Sequence, residues 1–402
     1  MTQIDPSLIK NLITQSPSGM FFVPDSITNA IGKHALSDIE AIEAEYTRLR
    51  DLYDSFQRKN EPTIIEYSGT VTIDTYSVKY LPRNTLVPKL AFLYCAYHPL
   101  MQNLPERLKI LDIGSGTGGV LLGLLDLFHN AQLSGTCLDI VALDGSQESL
   151  DRQRELVNDI GLKGSSHVSH LVDLADPSSY IEYLEAYSPY DMIFAANIFT
   201  ELNEDAIDNI INHSAKNLAE DGIIINAEAH GEYIRNQKVR IIKNARNLGL
   251  NVYYPCPPLD SNVCPKESEG CWTWRHDEFK CPYIAVRGSL IDTVYVQIAH
   301  LTILTSMQCS IYEIAQRIGQ SKIWGIAAPR IKNATMANEM MQQRYEFCTK
   351  NGLIDMYINE TVAKYIERPY TQPEIIKRGA IVGIPSDNSE ISYNRDFCGV
   401  GI

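Results

Sequence analysis

The 402-residue chain carries 35 Lys and Arg against 49 Asp and Glu, a net charge of −14, which disfavours indiscriminate nucleic-acid binding and confines any RNA contact to a local patch. Its apolar fraction of 45% suits a globular protein of two or three units, and no apolar run approaches the length of a membrane span. Nine cysteines, odd in number and partly clustered, fit reduced thiols or metal ligands better than a disulfide framework. The opening MTQIDPSLIK lacks the plan of a signal or transit peptide, so the expected location is the cytoplasm, or the mitochondrial matrix for an already processed chain.

Residues 1–105 read as a mainly helical cap or docking unit. Ser37 is placed to cap a helix through IEAIEAEYTRLRDLYDSF, whose apolar residues recur at helical spacing. From Ile64 to Leu81 the run IIEYSGTVTIDTYSVKYL is β-rich, and it leads into YLPRNTLVPKLAFLYCAY. That segment is either a packed connector or a cover over a ligand, with Tyr76, Tyr80 and Arg83 as the residues that would close it.

Residues 106–254 form the regular αβ unit, and it is organised around KILDIGSGTGGVLLGL, Lys109 to Leu124. Ile110, Leu111 and Ile113 predict a buried strand, Gly114 to Gly119 a glycine-rich turn, and Val120 onward a helix. Without a Cβ, Gly114, Gly116 and Gly118 let the backbone turn sharply and approach a nucleotide-like ligand. Gly114, Gly116 and Gly119 also satisfy the dinucleotide pattern G-x-G-x-x-G. Asp112, an acid inside the strand, suits the cationic methionine end of S-adenosylmethionine (SAM) better than an anionic pyrophosphate. Here the chain resembles the class I SAM-dependent methyltransferases. The expected architecture is therefore α/β, a Rossmann-like core with an N-terminal helical unit and a Cys-rich C-terminal extension.

In that frame Gly114, Ser115, Gly116, Thr117 and Gly118 form the cofactor loop under Asp112. CLDIVALD is the second strand, and Asp144 at its end is the expected ribose acceptor, with Asp139 as the rival. HVSHLVDLAD offers a third strand, and Asp173 or Asp176 after it is either a partner for the adenine amino group or a solvated loop acid. YDMIFAANIFTEL opens at Asp191 and ends near Asn197 in the cleft, where Phe199 could pack against adenine or belong to the core. The helix DAIDNIINHSAKNLAEDG and the strand IIINAEAHG follow, with Asp221-Gly222 as the turn between them. EYIRNQKVRIIKNARNLGL is then an amphipathic helix with Val239, Ile242 and Ala245 on one side. Arg235, Lys238, Arg240, Lys243 and Arg246 make it either an anion-facing surface or a solvated face.

Residues 255–402 are expected to be a Cys-rich metal-binding segment plus C-terminal strands completing the core, and they open within YYPCPPLDSNVCPKESEGCWTWRHDEFKCP. Cys256, Cys264, Cys271 and Cys281 fall in a Pro-rich segment with too little apolar content to fold alone, which thiolate ligation of a metal would supply. Their wide, uneven spacing is a poor match to a zinc ribbon and suits an iron–sulfur cluster at least as well.

YDMIFAANIFTEL, INAEAHG, a basic helix ending in Ala-Arg, and PCP, CP and Cys-aromatic in order make the chain similar to the small-ribosomal-subunit methyltransferase-like assembly factors, from about residue 75 onward. VYVQIAHLTIL reads as a strand, and WGIAAPRIKN resembles that family's Trp-Pro-Arg segment. The resemblance implies a 4Fe-4S cluster, with zinc as the alternative, held by Cys256, Cys264, Cys271 and Cys348. It also implies a partner in the small ribosomal subunit or its rRNA. Asn351-Gly352 is a hairpin signal that places Cys348 near a strand end. The chain departs from the pattern at PCPP and CWTWRHDEF, and the additional Cys281 is the rival fourth ligand.

SAM carries its own electrophile, so the protein has chiefly to align an acceptor. The sequence has no Ser-His-Asp arrangement, no H-E-x-x-H and no N-P-P-Y-type tetrapeptide after the fourth strand. It names no catalytic base. Three readings follow: a methyltransferase of the small subunit or its RNA, a methyltransferase of a small molecule or peptide, and a SAM-binding assembly factor without turnover. No membrane partner is expected.

Overall fold

The computed structural model describes residues 23–130, 135–228, 232–254, 256 and 300–310, together with the backbone of further strands between 277 and 393. β1 (Arg107–Ile113) is buried along its apolar run because both its faces are covered, as parallel strands require. It is followed by the helix Gly119–Asn130, β2 (Cys137–Asp144), the helix Gln147–Ile160, β3 (Ser166–Leu171), the short helix Ile181–Ala186 and β4 (Tyr190–Ala196). The helix Glu204–Lys216, β5 (Leu218–Glu228), the helix Glu232–Asn247 and β6 (Asn251–Tyr254) continue the alternation. β7 (Asp277–Tyr283) and β8 (Asp292–Ile298) pair with each other, and β9 (His300–Thr305) returns to the large sheet.

The sheet order is β3-β2-β1-β4-β5-β9-β6. β1 to β5 are parallel, while β9 runs antiparallel to both β5 and β6. The chain moves outward from β1 through β2 to β3 and then resumes on the other side of β1 with β4. The carboxyl ends of β1 and β4 thus flank the switch point where such sheets bind ligands. A second sheet contains β10 (Ile323–Ala328), β11 (Ala334–Ala337), β12 (Met340–Thr349), β13 (Gly352–Asn359), β14 (Ile381–Ile384) and β15 (Ser392–Tyr393). Thr349 pairs with Gly352, so β12 and β13 form the expected hairpin and Cys348 lies one residue from its strand end.

The helices Asp25–His34, Ile39–Lys59, Leu81–Asn84 and Leu86–Cys95 share an apolar cluster with one face of the sheet. Ionic clips hold the outer part. Asp159 takes Lys33 Nζ at 2.6 Å and His34 Nε2 at 2.9 Å, and buried Asp74 pairs with Arg152 at 2.9 Å. Nearer the sheet, Gly119 and Gly123 let the chain lie directly on their helix. A Cβ on Gly119 would stand 2.5 Å from Asn84 Cβ, and one on Gly123 2.4 Å from the Thr85 carbonyl oxygen. We expect Gly123→Ala to cost about 3 kcal/mol in overpacking, less about 1 regained as helix propensity, a net loss visible in urea unfolding.

Four expectations are corrected. The run Ile64–Leu81 holds no strand: it passes through the helix Thr70–Thr75 and a π-helical turn, Tyr76–Tyr80. Burial overrides β propensity there, and the hydroxyls are satisfied within the helix, Thr75 on the Val71 carbonyl at 2.7 Å and Ser77 on Ile73 at 2.8 Å. Asp38, not Ser37, holds the N-cap position of Ile39–Lys59, while the Ser37 amide donates to Asp74 at 2.8 Å. Asp221-Gly222 lies inside β5, where the register against β4 shifts, rather than in a turn before it. VYVQIAHLTIL divides between β8 and β9, which belong to different sheets. No helix among the described residues is long and apolar enough to cross a membrane.

Candidate functional site

A cavity of about 470 Å³ opens over the carboxyl ends of β1 and β4. Its floor is the glycine turn. Gly114 and Ser115 donate their amides to the Leu143 carbonyl at 2.8 and 3.1 Å, tying the turn to the end of β2. Gly114, Gly116 and Gly118 all have positive φ, at 68°, 52° and 97°. A Cβ on Gly114 would strike Ile198 at 2.6 Å, whereas Gly116 faces open space and lines the cavity. Ser115, Thr117, Gly119 and Asn197 also line it, and Gly118 sits behind, against Gln153.

Asp144 lines the cavity and organises the turn, accepting the Gly116 amide at 2.7 Å and the Ser146 amide at 2.8 Å. Burial raises its carboxyl against those bonds, which oppose the shift. Asp112 lies in β1 behind the turn and outside the cavity lining, 1% exposed, and neither of its oxygens has a hydrogen-bond partner among the described residues. Burial, with Asp144 nearby, pushes it up to about 8. A buried acid without a donor is poised for a cation. The rival Asp139 is engaged elsewhere, with Arg107 and with Ser166 at 2.6 Å.

Asn197 adopts φ 57°, which Asn tolerates, and its Nδ2 donates to Asn84 Oδ1 at 3.1 Å, joining β4 to the helical cover. Phe199 does not reach the cavity wall. Its ring is fully buried in the apolar cluster on the sheet's other face, and its amide serves the site by donating to Glu228 at 3.0 Å. Asp173 is exposed outside the lining, accepting the Ala175 amide at 2.9 Å, and Asp176 caps the following turn through Ser178.

The roof comes from the N-terminal helices and the irregular segment before Thr70–Thr75. Tyr76, Tyr80 and Arg83 line the cavity as covering residues, joined by Tyr46, Tyr53 and Tyr67. Tyr76 stacks on Tyr80 with centroids 4.6 Å apart, Tyr67 meets Tyr76 edge-on at 4.6 Å, and the Arg83 guanidinium lies 4.2 Å from the Tyr80 centroid. Burial raises the Tyr80 hydroxyl to about 12. Two acids that sequence reasoning missed complete the site: Glu201 after β4 and Glu228 at the end of β5. The available signal was the one that singled out Asp112, an acid inside or just beyond an apolar strand. Burial pushes Glu201 up to about 8 and Glu228 up to about 7.

Of the basic helix, Lys238 is 2% exposed and Arg240 is paired with Asp208 and Glu204 on the neighbouring helix; nothing is described of the Arg235 side chain. Among the cysteines, Cys256 is buried against the apolar cluster beyond β6. Cys264 and Cys271 lie outside the described residues, and Cys281 and Cys348 are placed by backbone alone, on β7 and β12. Among the described residues no group of three or more His, Cys, Asp or Glu could hold a metal ion.

A seven-stranded sheet in this order, with a glycine turn and paired acids at its switch point, defines a Rossmann-like methyltransferase fold. Residues 111–224 match the family model described as a methyltransferase domain, and the chain carries a SAM-dependent methyltransferase domain. No curated protein sequence matches the chain. Similar solved structures include a precorrin-6y C5,15-methyltransferase from Geobacter metallireducens, at 14% identity over 50% of this chain and 81% of that one, TM-score 0.31. PKMT2 from Rickettsia typhi, in complex with AdoHcy, is 19% identical over 42% of this chain and 28% of its own, TM-score 0.27. TrmN from Thermus thermophilus is 13% identical over 57% and 53%, TM-score 0.32.

Proposed function

We propose that the cavity binds SAM and delivers its methyl group to an acceptor in the small ribosomal subunit or its RNA. The observation that supports SAM is the partnerless buried carboxyl of Asp112 under a positive-φ glycine turn, with Asp144 beside it. Asp112 would balance the positive methionine end, and Asp144, whose oxygens keep lone pairs beyond the two amides, would accept from the ribose hydroxyls. The bound sulfonium makes the methyl electrophilic. The chain's task is then to exclude water with the tyrosine roof and to orient the acceptor from the β4 and β5 ends. The acceptor class rests on the sequence resemblance and on what remains of the basic helix.

A second reading, a small molecule or peptide acceptor, is favoured by the burial of Lys238 and the ion pairs of Arg240, which take two cations from an RNA-facing surface. Both are tested by incubating the protein with methyl-labelled SAM and either isolated small subunits or a deproteinised small-molecule and peptide fraction. Label in the subunit, with salt-sensitive binding, is expected. Label confined to the small-molecule fraction selects the second reading, and SAM binding with no label in either selects a non-catalytic factor.

The iron–sulfur cluster is part of the same proposal. Thiolates are apt donors for it, Cys256 is the one whose surroundings are described, and no step of the transfer is routed through it. Protein purified without oxygen is expected to be brown with about four irons per chain. Bleaching by Cys348→Ser identifies the fourth ligand, bleaching by Cys281→Ser instead names the rival, and a colourless iron-free protein removes the cluster.

A further inference from the structure

We propose that the acceptor group is a basic aliphatic amine, received by Glu201 and Glu228 within the wall formed by Tyr53, Tyr67 and Tyr76. This rests on the SAM reading above and narrows the acceptor to a protein amine or a free amine rather than an RNA base.

The carboxylates of the site divide by position. Asp112 and Asp144 belong to the glycine turn at the ends of β1 and β2, where the methyl donor would lie. Glu201, after β4, and Glu228, the last residue of β5, stand across the switch point and line the cavity with the tyrosine roof. Glu228 is 1% exposed. Its Oε1 accepts the Phe199 amide at 3.0 Å and Asn226 Nδ2 at 2.9 Å, while Oε2 has no partner among the described residues. Glu201 accepts from the Tyr67 hydroxyl, which in turn accepts from Tyr76 at 2.7 Å.

The charged side chains lining the cavity are Asp54, Asp144, Glu201 and Glu228 against Arg50 and Arg83, and Arg83 is stacked on Tyr80. A phosphate or carboxylate acceptor would meet like charge. A neutral base amine brings no charge to offset the two buried carboxyls when they ionise, whereas an ammonium does and gains the aromatic faces.

An ammonium has no lone pair, so it must first lose a proton. Glu201 takes it, and the neutral nitrogen then forms the C–N bond as the methyl–sulfur bond breaks, the electron pair leaving with S-adenosylhomocysteine. The product is the N-methylammonium, and Glu201 returns its proton to solvent when the cavity opens. Burial holds Glu201 near 8, which suits proton exchange with an amine near neutral pH. The groups that face it are Tyr67 and Tyr76 from the roof, Asp144 from β2 and Glu228 from β5, with Tyr53 and Arg83 around them.

The test is calorimetric titration of the full chain, with and without S-adenosylhomocysteine, using n-butylamine, n-butanol and cytidine as probes. The proposal expects n-butylamine to bind, n-butanol and cytidine to bind at least about tenfold more weakly, and Glu201→Gln to weaken n-butylamine about tenfold without changing S-adenosylhomocysteine affinity. Tyr67→Phe, which keeps the ring, provides a second variant should Glu201→Gln melt early, and it should weaken the amine in the same direction. Equal binding of n-butanol, preference for cytidine, or an unchanged n-butylamine affinity in both variants overturns the inference. Absence of S-adenosylhomocysteine binding by wild type overturns the SAM reading instead. A Gly-Lys-Gly peptide that binds more tightly than n-butylamine points to a protein source, and the reverse order to a free amine.

Discussion

Asp112→Asn is expected to weaken SAM binding about a hundredfold and, at the same time, to stabilise the ligand-free protein above neutral pH. The carboxyl is fully buried and partnerless, with its value raised from 3.8 to about 8. Between those values the folded state keeps a proton that the unfolded state has released. The associated stability is present in full at low pH and is lost as pH rises toward 8. Glu201 and Glu228, raised from 4.5 to about 8 and about 7, act in the same direction. Wild-type protein should therefore be less stable to urea at pH 8.5 than at pH 6, and Asp112→Asn should recover on the order of 2 kcal/mol at the higher pH, each pK unit being worth about 1.4. Removing one member of a buried charge pair costs about 3 kcal/mol, so SAM affinity should fall about a hundredfold. Wild-type SAM binding should also release protons, seen as a buffer-dependent binding enthalpy, and should tighten from pH 6.5 to 8.5. A variant that binds SAM as tightly as wild type would remove Asp112 from the site.

Gly114→Ala and Gly116→Ala should separate two roles of one turn. Both glycines have positive φ, which costs an alanine about 1 to 2 kcal/mol. At Gly114 the new methyl also meets Ile198 Cγ1 at 2.6 Å and Cβ at 2.7 Å, so the turn or the chain after β4 must move. The expected loss is about 3 kcal/mol in urea unfolding, with SAM binding lost as well. At Gly116 the methyl enters open space in the cavity, so stability should fall by only the backbone cost while SAM binding is blocked. Equal stability losses in the two variants would mean that Ile198 yields, and the close approach of β1 and β4 would then carry no constraint.

The parallel core was legible because its signals are local. β1, β2, β4 and β5 are apolar runs that end in an acid, a glycine or an asparagine, and the helix Gln147–Ile160 begins at Ser146, whose side chain takes the Ser149 amide at 3.2 Å. Asp144 and Asn197, which line the cavity, were legible because they stand where such strands end. The segment Ile64–Leu81 misled because Thr72, Ile73, Thr75 and Val78 are buried in a helical setting, where packing outweighs propensity. Phe199 was read as open to either role, and the fold placed its ring on the far side of the sheet.

By itself the amino-acid order determined the glycine turn, the αβ alternation and the acids that belong to strand ends, since each depends on residues close along the chain. Only the tertiary structure decided that Tyr53, Tyr67, Tyr76, Glu201 and Glu228 face one cavity, that Arg240 is spent on Asp208 and Glu204, and that β9 runs between β5 and β6. Those residues lie far apart in sequence, and their charge and burial arise when the switch point brings the ends of β2, β4 and β5 under the helical roof. A carboxyl acquires a cation-seeking character from the water and partners it loses on folding, and neither loss is written in its neighbours along the chain.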